Sequence, residues 1–61
     1  MLRKILDRDG DEIEIEALPV RGLVWINLPT EDGVDGTERA LTIDQVARLI
    51  AALTEAAKEL P

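Results

Sequence analysis

The chain has 61 residues, with seven basic side chains against thirteen acidic ones and a net charge of −6. That balance argues against a binder of the phosphate backbone, which needs clustered Lys and Arg. The absence of cysteine and histidine excludes disulfides and a Cys/His metal site. A domain of this size buries only roughly 60% of the surface its unfolded chain exposes, so its stability must rest on close local packing or on self-association.

At 46% apolar the chain carries too much hydrophobic surface to stay disordered. No apolar run approaches the ~20 residues that cross a bilayer. Met1 to Asp7 carries positive charge with no apolar stretch behind it, so no secretory signal is expected and the cytoplasm is the expected compartment.

In chain order, residues 2–8 and 11–18 read as a hairpin around Asp9-Gly10, the pair preferred in a two-residue type I′ turn. The second strand alternates Ile13, Ile15 and Ala17 with Glu12, Glu14 and Glu16, the period of a half-buried strand. A two-residue loop sets Leu6 across from Ile13 and Leu2 across from Ala17, all inward, and pairs Arg3 with Glu16 and Ile5 with Glu14 outside. Lys4 then falls on the inward face, a conflict that snorkelling at an edge would relieve.

Pro19 ends this strand and Pro19–Gly22 forms the next reversal. Gly22–Leu28 is a third strand, apolar on both faces through Leu23, Val24, Trp25 and Ile26, and closed by Pro29. A polar loop expected to be mobile covers Thr30–Thr37, and Glu38–Leu41 is a short fourth strand.

The helix is predicted over Ile43–Leu60. Thr42 followed by Gln45 is a capping box, flanked by Leu41 and Val46 at the staple positions. Asp44 and Lys58 complement the helix dipole at its two ends. Val46, Leu49, Ile50, Leu53, Ala57 and Leu60 share one face, and Asp44, Arg48, Glu55 and Glu59 mark the other. The expectation is a single α+β domain over residues 1–61. It is a small antiparallel sheet of three or four strands with one C-terminal helix packed on one face.

If Leu6, Ile13, Ile15, Val24 and Ile26 face the helix, Leu23 and Trp25 lie outside beside Ile5 and the glutamates. An outward Trp with Leu and Ile neighbours has the composition of an interface centre with a polar rim. With the faces reversed, Trp25 is simply the core residue under the helix. Leu49, Leu53 and Leu60 lie on a heptad-like seam with small Ala flanks that would admit an antiparallel partner helix across a dimer axis. The plainer reading of those alanines is that Ala is favourable in any helix. The expected interface is therefore Ile5, Leu23, Trp25, Leu49, Leu53 and Leu60, and Trp25→Ala is expected to weaken self-association or partner binding.

Catalytic chemistry is poorly provided for. There is no His, Cys, Ser or Tyr, and the carboxylates lack the volume for a dry pocket that would raise a pKa. Gly33 and Gly36 sit in an acidic stretch that would repel phosphate. Asp7, Asp9 and Asp11 open like a calcium loop, but Glu12 stands where glycine is required and Leu18 where glutamate is required. No catalytic residue, metal or cofactor is expected.

Residues 40–60, Ala-Leu-Thr-Ile-Asp-Gln-Val-Ala-Arg-Leu-Ile-Ala-Ala-Leu-Thr-Glu-Ala-Ala-Lys-Glu-Leu, resemble the C-terminal helix of small uncharacterised sheet-plus-helix proteins of actinobacteria and their phages. That resemblance implies a sheet preceding an Ala/Leu-rich helix, and no activity or functional residues. The expectation for function is a non-enzymatic protein-binding or assembly module acting as a homodimer, with a further protein partner and no direct contact with nucleic acid or membrane. The alternative is an acidic inhibitor or nucleic-acid mimic that occupies a basic site through Glu12, Glu14, Glu16, Glu31, Asp32 and Asp35.

Overall fold

The computed structural model describes residues 1–30 and 37–61. Four strands, β1 (Arg3–Leu6), β2 (Glu12–Leu18), β3 (Leu23–Leu28) and β4 (Thr37–Leu41), form an antiparallel sheet in the order β1-β2-β3-β4. One helix follows, α1 (Ile43–Lys58). The fold is α+β, with β1 and β4 at the sheet edges. Most of the polar loop expected between β3 and β4, with Glu31, Asp32 and Asp35, lies outside the described residues.

The first hairpin corrects the expected register. A two-residue type I′ loop needs positive φ at both Asp9 and Gly10. Gly10 has φ +85°, but no non-glycine residue among those described has positive φ. The turn closes instead on Asp7 and Asp11, with the Asp7 amide donating to the Asp11 carbonyl at 2.9 Å and the Gly10 amide to the Asp7 carbonyl at 3.1 Å. This is a three-residue loop, a type I turn finished by a left-handed glycine.

The Asp7 carboxylate selects it. Its Oδ1 accepts from the amides of Asp9 at 2.8 Å and Asp11 at 2.9 Å, an Asx-type closure that a two-residue loop would lose. Asp7→Ala is expected to cost about 1–2 kcal/mol, read as a lower urea midpoint at unchanged slope.

Moving the register by one residue exchanges the faces of β1. Ile5 now pairs with Ile13 and Arg3 with Ile15, while Lys4 pairs with Glu14 and Leu6 with Glu12. The conflict at Lys4 disappears, because its ammonium lies on the acidic face 3.2 Å from Glu12. Leu6 and Ile5 have traded the sides that a two-residue loop assigns them.

The second reversal forms where expected. The Arg21 amide donates to the Leu18 carbonyl and the Gly22 amide to the Pro19 carbonyl, with Gly22 at φ +67°.

Thr42 alone separates β4 from α1 and builds both halves of the capping box. Its Oγ1 accepts from the Gln45 amide at 3.2 Å, and its own amide donates to Gln45 Oε1 at 3.0 Å. With one residue in the joint and both orphan amides engaged, the direction in which the helix leaves the sheet is set locally. Thr42→Ala is expected to cost about 1 kcal/mol and Thr42→Ser much less, followed as helical circular dichroism against urea.

The helix packs on one face of the sheet, as the apolar pattern predicts, but covers it only in part. It approaches β3 and β4 but neither β1 nor β2. No side chain among the described residues is fully buried. The radius of gyration is 12.9 Å, against about 10.5 Å for a compact domain of this length.

Candidate docking surfaces

The pairing register sorts the sheet into two unlike faces. Ile5, Ile13, Ile15 and Ala17 share one face with Val24, Ile26, Leu28 and Leu41. Arg3, Thr37 and Arg39 are the polar residues on this side. The other face carries Lys4, Glu12, Glu14, Glu16, Asn27 and Glu38 around Leu18, Leu23 and Trp25.

The first face opens into a cleft beneath the helix. Leu49 and Leu53 of α1 form one wall and Ile5, Ile13, Ile15 and Ile26 of the sheet the other, around about 490 Å³ open to solvent, with Arg39 and Thr37 at the margin. Leu53 is 61% exposed and Ile5 54%, although both point toward apolar neighbours. The space between the two layers is too wide for the chain's own side chains to fill.

The second face is flatter and mostly engaged with itself. Trp25 is half-buried between its strand neighbours Glu16 and Ala40. Asn27 Nδ2 donates to Glu14 Oε1 at 3.1 Å, and Lys4 pairs with Glu12. Exposed pairs of this type add little stability. Asn27 Oδ1 is buried with no partner among the described residues, an acceptor held away from water at some cost.

The six residues expected to form one interface thus fall in separate places. Ile5, Leu49 and Leu53 line the cleft. Leu23 and Trp25 lie on the far side of the sheet, with Leu18 and Glu16 as cross-strand partners. Leu60 is exposed just beyond the helix. Of the expected acidic surface, Glu12, Glu14 and Glu16 share the Trp25 face, and Glu31, Asp32 and Asp35 lie outside the described residues.

Arg39 escaped the sequence reading. Its signal was the alternation Thr37, Arg39, Leu41, which places a cation on the apolar face opposite Ile26.

The Asp7–Asp11 tip has its own structural use for Asp7, whose carboxylate holds turn amides. Among the described residues no three acidic side chains converge as cation ligands, and no helix is long and apolar enough to cross a membrane. Compared with known proteins, the chain matches no family model, no curated protein and no solved structure, so what it does is read from its own residues.

Proposed function

We propose that the chain is a small, acidic, non-enzymatic protein-binding or assembly module of the cytoplasm that works as a homodimer. The observation that carries this reading is the apolar cleft, left open in a chain without one fully buried side chain among its described residues. Association would cover this cleft together with the exposed Ile50 and Leu53 of α1, taking apolar surface out of water. Sedimentation equilibrium at micromolar concentration tests it. A particle of twice 6.7 kDa is expected, and a persistent 6.7 kDa species overturns the reading.

The Leu23 and Trp25 surface then remains outside, available to a second protein. Trp25→Ala is expected to lower stability by about 2 kcal/mol, the share of a half-buried indole. The sedimenting mass should be unchanged.

The alternative, an acidic mimic occupying a basic site, draws on the row Glu12, Glu14 and Glu16. Two of these already answer to Lys4 and Asn27. Binding to a basic partner that falls steeply with salt would favour it.

A further inference from the structure

We propose that the cleft is covered by helix α1 of a second copy, the two helices lying side by side about a two-fold axis, each on its own β3 and β4 and across the open β1 and β2 of the other. The inference rests on the homodimer reading above and adds which surfaces meet.

Three observations point to this occupant. The first is area. A folded monomer of 6.7 kDa exposes roughly 3,900 Å², whereas this chain exposes 5282 Å². The excess, roughly 1,400 Å² over the whole chain, is more than the ≈ 800 Å² each partner buries in a standard interface.

The second is the joint at Thr42. With one residue between β4 and α1 and a closed capping box, the helix is held where it approaches β3 and β4 alone. The chain therefore does not close its own cleft.

The third is self-complementarity. The helix carries an apolar arc of about 140° from Ala56 round to Ile43 at 100° per residue. Within that arc Ile50 is 59% exposed and Leu53 61%, beside a sheet face whose apolar width exceeds what one helix covers. Stripe and cleft lie on the same chain, which is the condition for an isologous pair. Charge agrees. The polar sheet face holds Glu12, Glu14, Glu16 and Glu38 with Lys4 as its one cation, so two copies at −6 each repel through it.

The absence of cysteine makes a direct test possible. Two single variants, Ile13→Cys and Leu53→Cys, are refolded together and oxidised, and the disulfide species are identified by intact mass. Only an intermolecular bond can join the two chains. The expected result is a mixed Ile13→Cys/Leu53→Cys dimer, accompanied by wild-type chain sedimenting at twice its monomer mass. A dimer that gives no mixed bond, yet crosslinks between Trp25→Cys chains, overturns this arrangement and leaves the homodimer reading standing. A wild-type monomer overturns both, whether its cleft is closed by its own helix or held for a foreign protein.

Discussion

Replacing Leu53 with glutamate is expected to abolish the dimer and the fold together. Leu53 lines the cleft and lies on the helix stripe that a second copy would cover, so the carboxylate would be taken out of water into an apolar lining whose one cation, Arg39, stands at the margin. A charge buried without a well-placed partner costs several kcal/mol, here about 3. A chain that falls short of the burial usual for its size has no such reserve. Circular dichroism should show the helical signal lost at concentrations where wild type is folded, and sedimentation should show an expanded monomer. Ala51→Glu, two positions back and on the polar side of the helix beside Asp44 and Lys58, is the control. It should alter stability by no more than about 0.5 kcal/mol. If Leu53→Glu folds normally, the helix stripe is solvent-facing in the working protein.

Ile15→Ala should be nearly as severe, and its size reports whether the sheet face is covered. Ile15 sits at the centre of that face, paired with Arg3 on one side and Ile26 on the other. In an isolated chain it is half-exposed, and losing its outer carbons would cost about 1 kcal/mol. Beneath a partner's helix it becomes a core residue, for which Ile→Ala costs about 2–5 kcal/mol. We expect about 3 kcal/mol from urea titration. The wild-type transition should itself move to higher urea as protein concentration rises, as it must when folding and association are linked. A small loss that is independent of concentration would return Ile15 to the solvent.

What sequence reveals here is what depends on neighbours within a turn. The Thr42–Gln45 cap spans four residues and was legible in full, as was the reversal at Pro19–Gly22. The four strands and their order follow from alternation and from the short connections. The register of β1 was not legible. Asp9-Gly10 favours one turn and the Asp7 carboxylate another, and the side chain with two amides to hold prevailed. That one-residue change moved Ile5 from the polar face to the apolar one.

Trp25 shows the limit of patterning in another way. Alternation along Leu23–Ile26 separates Trp25 from Ile26 but does not say which of them meets the helix. That is decided by the joint at Thr42, which sends α1 over the Ile26 side. The width of the cleft was hidden for the same reason. The apolar pattern of a helix names the side chains that want cover without saying whether their own sheet supplies it.

The two edge strands bear on where assembly stops. β1 has four residues, two of them Arg3 and Lys4, and β4 carries Glu38 and Arg39. Short, charged borders resist the strand-by-strand addition that turns open sheets into fibres. A pair joined through its clefts would use up the open apolar side of each molecule and leave only these guarded rims at the sheet edges. Growth would end at two copies, leaving a closed particle with the same indole-bearing surface on each of its outer sides.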